Sequence, residues 1–92
     1  MSELRRALTI VNKRGLHARA SAKFVGAVSA LPEGTSVRVA KDGNEAVGGS
    51  ILGLMMLGAA KGDEVELIVS GANAEHVLAD LSALIEDGFG EE

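Results

Sequence analysis

Apolar residues recur along the chain with two different periods, and together these periods predict four strands and three helices. A period of two, or a short run of β-forming residues, predicts strands over residues 6–11, 35–40, 45–47 and 64–69. The fourth strand is the clearest, because Val65, Leu67 and Val69 alternate with residues of the other face. Apolar residues spaced three and four apart predict helices over residues 18–30, 51–57 and 74–87.

Turn and capping residues mark the ends of these elements. Residues 12–15 have the composition of a turn, and Asp42-Gly43 is typical of a tight hairpin. Ser50 and Asn73 stand where the second and third helices begin, and both residue types favour the N-cap position. Gly88 predicts the end of the third helix, since glycine readily adopts the left-handed conformation found there.

The predicted order of elements is β-α-β-β-α-β-α, within a single small domain of residues 1–92. Strands with one apolar face are covered most economically by helices on one side of a single sheet. The sequence therefore predicts an α+β open-faced β-sandwich. Its sheet has four mainly antiparallel strands, and its three helices lie on one face.

Composition excludes several classes of function. The chain has no cysteine and only two histidines, so we expect no disulfide, no metal site and no cofactor. A net charge of −4 and the absence of Trp and Tyr argue against nucleic-acid binding. The longest apolar run has roughly half the length of a membrane span, and no apolar signal segment follows Met1. We expect a cytoplasmic monomer without membrane insertion.

Charge is distributed unevenly along this acidic chain. Six cationic residues fall in the first quarter, whereas four acidic residues lie close to the end: Arg5, Arg6, Lys13, Arg14, Arg19 and Lys23, against Glu86, Asp87, Glu91 and Glu92. This asymmetry favours a local anion site on an otherwise acidic surface, although an ordinary solvated surface would have the same composition.

The candidate chemistry lies in Gly15-Leu16-His17-Ala18-Arg19, between the first strand and the first helix. The amide groups at a helix start attract anions, and neutral histidine is a nucleophile. Arg19 adds a planar cationic group suited to phosphate oxygens, and Gly15 permits a tight turn. The motif predicts a phosphoryl site on His17. A polar helix cap beside a solvated arginine is the alternative, and the pattern alone leaves both open.

A second motif covers residues 50–58, Ser-Ile-Leu-Gly-Leu-Met-Met-Leu-Gly, and is followed by Ala60-Lys61-Gly62. The two motifs and the order of elements resemble the HPr family of the bacterial phosphotransferase system over essentially the whole chain. The resemblance implies that His17 accepts a phosphoryl group from enzyme I, itself charged by phosphoenolpyruvate, and passes it to an enzyme IIA. It also implies that Nδ1 is the accepting nitrogen and that Arg19 stabilises the phosphoryl group.

The resemblance further implies a regulatory role for Ser50, which matches a position that a dedicated serine kinase phosphorylates and a phosphorylase restores in many members. A plain N-cap serine is the alternative. Four apolar residues are expected to form a docking rim around His17: Ala20, Ile51, Leu52 and Met55. Leu54 and Leu57 are expected to point inward.

One departure from the family pattern follows the first motif, where Ala20 replaces the usual proline. Alanine is a good helix former, so phosphotransfer should survive with a slightly looser loop. The branch, sugar transport or nitrogen regulation, stays open, although Val11-Asn12-Lys13 and Gly88-Phe89 are similar to the nitrogen-branch members known as NPr.

Two other classes of function compete with the phosphocarrier interpretation. The first is a regulatory adaptor that binds partners through the Ser50 helix. The second is a small enzyme with its own pocket, which is disfavoured because no second acid or base lies near His17 in the sequence. We therefore expect a component of a phosphotransfer relay rather than an enzyme. His76 is expected to be a solvated surface residue.

Overall fold

The computed structural model describes residues 3–91. The predicted domain limits of 1–92 include Met1, Ser2 and Glu92, which lie outside the described residues. The elements are β1 (Glu3–Thr9), α1 (Ala18–Ser29), β2 (Ser36–Lys41), β3 (Asn44–Val47), α2 (Ile51–Met56), β4 (Glu64–Ser70), α3 (Ala74–Glu86) and a 3-10 turn (Gly88–Gly90). The predicted order of strands and helices is confirmed.

The four strands form one sheet in the order β1-β4-β2-β3, and every pairing is antiparallel. β4 is central because it pairs with both β1 and β2. Its register places Val69 opposite Val37 and Leu67 opposite Val39, so the apolar residues of neighbouring strands fall on the same face. The predicted open-faced sandwich is confirmed.

The core lies between this apolar sheet face and the helices. Each helix contributes at least one fully or almost fully buried side chain, with Phe24 from α1, Leu54 from α2 and Leu81 from α3. Leu57 is partly buried against the same cluster. These inward positions follow the helical period seen in the sequence.

The opposite face of the sheet is open but carries one deeply buried residue, Ile68, which is 1% exposed. The sheet register places Arg5 and Arg38 on either side of Ile68. Ion pairs with Glu3, Glu45 and Glu66 hold both arginines over the sheet. We attribute the burial of Ile68 to the aliphatic stems of these arginines, since long charged side chains can cover apolar surface.

The main correction concerns β1, which was predicted over residues 6–11 and spans Glu3–Thr9. Pairing with β4 sets these limits, because Glu3 lies opposite Ser70 and Thr9 lies opposite Glu64. The charged residues at the start of β1 are stabilised on the open face of the sheet. The alternation of apolar residues cannot predict that they belong to the strand.

A second correction concerns the start of α3. Asn73 does occupy the N-cap position, but its backbone is left-handed, with φ 61°, and its side chain forms no capping hydrogen bond. Asparagine tolerates this conformation better than most residues, which accounts for its presence there.

The last segment departs most from the sequence-based expectation. Gly88, with φ 66°, follows the end of α3 at Glu86, but the chain then forms a 3-10 turn instead of leaving the fold. Phe89 within this turn is 1% exposed and has φ 60°. The buried aromatic ring anchors the chain end against the body of the protein.

Hydrogen bonds between two loops fix the segment that precedes α1. The N–H of Leu16 donates to the carbonyl oxygen of Ala59 at 3.0 Å, and the N–H of Ile10 donates to that of Asp63 at 2.9 Å. Gly15 has φ +64°, and a Cβ atom there would lie 2.2 Å from the Ala59 oxygen. Only glycine fits this approach without displacing the backbone.

We predict that alanine substitutions at two glycines change the free energy of unfolding in opposite directions. Gly15→Ala should lower the free energy of unfolding by at least about 2 kcal/mol, because it adds both a backbone clash and left-handed strain. Gly26→Ala, at an exposed position of α1 with nothing near the added Cβ atom, should raise it by about 0.5–1 kcal/mol. Urea unfolding of both variants measures these changes, and a Gly15→Ala variant as stable as the wild type would contradict the prediction.

Candidate functional site

His17 is the N-cap residue of α1, with φ −78° and ψ −177°. Its Nδ1 accepts a hydrogen bond from the backbone N–H of Arg19 at 3.2 Å. The imidazole itself therefore satisfies one of the amide groups that lack a partner within the first turn of the helix. This nitrogen faces the positive end of the α1 dipole.

The other ring nitrogen contacts the end of the chain. Nε2 of His17 lies 2.8 Å from Oε2 of Glu91, and the two side chains are 17% and 20% exposed. Because Nδ1 accepts a hydrogen bond, a neutral ring carries its proton on Nε2 and donates it to the carboxylate. Each ring nitrogen thus has a distinct partner.

Asn12 joins the site loop to the same carboxylate. Its Nδ2 donates to the carbonyl oxygen of Gly15 at 2.8 Å and to Oε1 of Glu91 at 3.1 Å. Asn12 is 5% exposed, so its amide is held rigidly below the surface. Both oxygens of Glu91 therefore have a defined donor.

Lys23 fixes the 3-10 turn from the side of α1. Its Nζ donates to the carbonyl oxygen of Phe89 at 2.8 Å. Together with the buried ring of Phe89, this hydrogen bond holds the chain beside His17.

A shallow cavity surrounds the imidazole and is strongly cationic. Four cationic residues line it together with His17 and Glu91: Lys13, Arg14, Arg19 and Lys23. The exposed Arg19 side chain forms no hydrogen bond or ion pair within residues 3–91. The guanidinium is therefore available to an anion that enters the cavity.

The electrostatic environment favours the charged form of Glu91. Desolvation acts to raise the pKa of its carboxyl, but hydrogen bonds from Asn12 and His17 outweigh it, helped by the charges of His17 and Lys23. The net result is a pKa below the ordinary value of 4.5.

Ser50 is the N-cap of α2, and its hydroxyl oxygen accepts a hydrogen bond from the N–H of Gly53 at 2.9 Å. The side chain is part-buried in this role. Ser50 therefore has a structural function whatever else it does.

An exposed apolar surface follows Ser50 on α2. We call it the α2 patch, and it consists of Ile51, Leu52, Met55 and Met56. Three of these residues are expected from the sequence, and the fourth, Met56, is 77% exposed. The helix that carries the patch packs against α1.

Ala20 does not belong to an exposed rim, which corrects the expectation from the sequence. It is 0% exposed and faces the core together with Phe24, one turn later in α1. The helical period accounts for this, since residues four apart share a face.

No pattern in the sequence indicates the role of Asn12 or the contact made by Glu91. Glu91 is separated from His17 by 74 residues. Glu91 is one of several acidic residues in its segment, and this pattern does not predict a specific partner. The burial of the nearby Phe89 determines where the carboxylate lies.

Two further features of residues 3–91 concern metals and membranes. No three His, Cys, Asp or Glu side chains in this part of the chain lie close enough together to hold a metal ion. Within the same range, every helix is too short or too polar to cross a bilayer.

Comparison with known proteins extends these observations over the whole fold. Residues 4–87 match the family model described as the PTS HPr component phosphorylation site. The chain is 44% identical over 88 residues to phosphocarrier protein HPr of Neisseria meningitidis serogroup A, covering 96% of this chain and 97% of that protein. It is 35% identical over 91 residues to phosphocarrier protein NPr of Shewanella violacea, covering 99% and 98%.

A solved structure gives the same result. The crystal structure of HPr-C-His from Thermoanaerobacter tengcongensis superimposes with a TM-score of 0.86 at 39% identity, covering 100% of this chain and 99% of that one. Fold, site and relatives together define a phosphocarrier protein. The chain belongs to the HPr family of the phosphotransferase system, which here includes HPr and NPr relatives.

We predict that the contribution of Glu91 to stability depends on pH. Because folding lowers the pKa of this carboxyl, its stabilising effect is present above the ordinary value of 4.5 and is lost as the pH falls through the lower folded value. Wild type should therefore be more stable than Glu91→Gln at neutral pH, with a difference that shrinks in acid.

Urea unfolding at a series of pH values measures this difference. Glu86→Gln removes an exposed carboxylate from α3 and serves as the control for net charge. A constant difference between wild type and Glu91→Gln from neutral to acid pH would contradict the prediction.

Proposed function

We propose that this protein carries a phosphoryl group on Nδ1 of His17, which it receives from enzyme I and gives to an enzyme IIA. The observation that supports this most strongly is the position of the ring. Nδ1 faces the N-terminus of α1, and the His17 side chain lines a cavity together with four cationic residues. Such a cavity suits the oxygens of a phosphoryl group.

The accepting step uses the lone pair of Nδ1. This nitrogen attacks the phosphorus, an N–P bond forms, and the bond from phosphorus to the donor breaks with its electron pair leaving on the donor. The N–H of Arg19, which donates to Nδ1 in the free protein, then turns to a phosphoryl oxygen. Nε2 retains its proton throughout.

The cationic residues of the cavity compensate the charge of the phosphoryl group. Arg19 is the strongest candidate for direct contact, because its guanidinium is exposed and has no partner within residues 3–91. Its planar geometry can engage two phosphoryl oxygens at once. Lys13, Arg14 and Lys23 contribute longer-range attraction.

Partner proteins dock on the α2 patch. Exposed Leu52 and Met56, at 67% and 77%, offer apolar surface that a partner would cover. Methionine adapts to differently shaped partners, which a carrier meeting both a donor and an acceptor requires. The carrier acts as a monomer in the cytoplasm, where phosphoenolpyruvate is available.

Phosphorylation of Ser50 is the proposed means of regulation. A phosphate there would add nearly two negative charges at the edge of the α2 patch. A partner whose docking surface is complementary to the cationic His17 cavity would then be repelled by the negative phosphate. The capping hydrogen bond to Gly53 is the alternative reason for the serine.

We predict that incubation with phosphoenolpyruvate and enzyme I adds one acid-labile phosphate to the wild-type protein and none to His17→Ala. Intact mass before and after acid treatment measures this. His76→Ala is the matched control, since the His76 side chain is 79% exposed, pairs with Asp80, and does not line the His17 cavity. Enzyme I from the sugar and the nitrogen branch are both used, so the faster donor identifies the branch.

Two results would contradict this proposal. Labelling of the His17→Ala variant would place the phosphate elsewhere. Absence of labelling with either enzyme I would favour the alternative that the protein is an adaptor acting through the α2 patch.

We predict that charge and capping at Ser50 can be separated with two variants. Ser50→Asp keeps a good N-cap but adds a negative charge, so it should raise the KM for this carrier in the enzyme I reaction about threefold to tenfold. Ser50→Ala should leave KM unchanged and lower the free energy of unfolding by about 1 kcal/mol. Initial rates and urea unfolding measure these effects, and equal KM values for the two variants would argue against regulation by charge.

A further inference from the structure

We infer that Glu91 is a positioning residue for phosphoryl acceptance, and that it acts by keeping the proton of His17 on Nε2. This inference rests on the proposed role of His17 as the acceptor. It assigns a function in the reaction to the chain segment after α3, which lies beyond residues 4–87 that match the family model.

The chemistry of the imidazole ring supports this role. A neutral imidazole has one proton, and attack on phosphorus requires that Nδ1 be free of it. The carboxylate oxygen 2.8 Å from Nε2 can only accept a hydrogen bond when ionised, so it selects the form with the proton on Nε2. The N–H of Arg19 at Nδ1 selects the same form from the other side.

The cationic surroundings of the ring make the carboxylate necessary. Within the part of the chain described, the charged residues that line the cavity besides Glu91 are the cations Lys13, Arg14, Arg19 and Lys23. These side chains can only donate hydrogen bonds. If one of them took the place of Glu91 at Nε2, the proton would move to Nδ1 and block the nucleophile. By occupying Nε2, the carboxylate keeps these cations from donating a hydrogen bond there, so Nδ1 remains free of the proton.

The carboxylate also compensates charge that develops on the ring during transfer. When the N–P bond forms at Nδ1 and Nε2 keeps its proton, positive charge develops on the ring. The carboxylate at 2.8 Å compensates this charge, and it is already in place before the reaction starts. The pair is only partly exposed, which limits screening by water.

Contacts on both sides hold the carboxylate of Glu91 in place. Asn12 donates to Oε1, so the carboxylate presents Oε2 to the histidine. The buried Phe89 and its carbonyl contact with Lys23 fix the backbone two residues earlier. A loosely attached acidic ending would need neither the buried ring nor the buried amide.

The test compares Glu91→Gln with the control Glu86→Gln, each of which removes one carboxylate close to the end of the chain. Glutamine keeps the size of Glu91 but can donate to Nε2 as well as accept from it. We expect the initial rate of phosphorylation by phosphoenolpyruvate and enzyme I to fall about tenfold in Glu91→Gln, the value of a charge-assisted hydrogen bond, and to stay unchanged in Glu86→Gln.

Nitrogen-15 NMR of the His17 ring gives a second readout that a merely structural role would not move. Wild type and Glu86→Gln should show the Nε2-protonated form at a pH where the ring is neutral, whereas Glu91→Gln should show a mixture of both forms. The signals of Phe89 report whether the 3-10 turn stays docked in each variant.

Each outcome decides the inference. A wild-type rate in Glu91→Gln, or a slower rate with an unchanged proton position, would overturn it while leaving the acceptor role of His17 intact. A lower rate together with a mixed proton position supports it when the Phe89 signals are unchanged. The same result with shifted Phe89 signals would overturn it, because displacement of the 3-10 turn would then account for both changes. If the wild-type protein accepts no phosphoryl group at all, the proposed function fails and this inference falls with it.

Discussion

The backbone contact between the loop before α1 and the loop after α2 is the constraint on which the site depends. Gly15 approaches Ala59 so closely that a Cβ atom would lie 2.2 Å from its carbonyl oxygen, and the N–H of Leu16 bonds to that oxygen. Two residues later the chain must enter α1, so this contact fixes where His17 meets the first turn of the helix. Without this contact, His17 would still be able to cap α1, but the position of its imidazole would not be fixed.

The charges that surround the His17 ring are mostly opposite in sign to the net charge of the chain. The chain is acidic, with a net charge of −4, yet the cavity of His17 is lined by four cations and one carboxylate. The cations suit a phosphoryl group, while Glu91 faces the nitrogen that does not receive it. The two ring nitrogens are thus distinguished by their partners, an amide N–H at Nδ1 and a carboxylate at Nε2.

Local patterns predicted most of the fold because local physics decides most of it. Alternation fixed the inward face of β4, where Leu67 and Val69 are buried as expected. Helical spacing likewise predicted that Leu54 points inward, which it does. Ala20 is also inside, on the face of Phe24 four residues later, although the family resemblance led us to expect it on an exposed rim. The predictions that are wrong concern features set by contacts between residues distant in sequence. One such feature is the extent of β1, whose limits follow its pairing with β4.

The sequence alone determined the order of elements, the sheet-and-helix class, and the presence of a histidine at the start of a helix, because these depend on neighbours within a few residues. Tertiary structure decided which residues meet that histidine. Glu91 is 74 residues away from it, and Asn12 reaches both the site loop and this carboxylate. The physical reason is that these contacts depend on the burial of Phe89 against the folded body, and no local period encodes where the segment after α3 will pack.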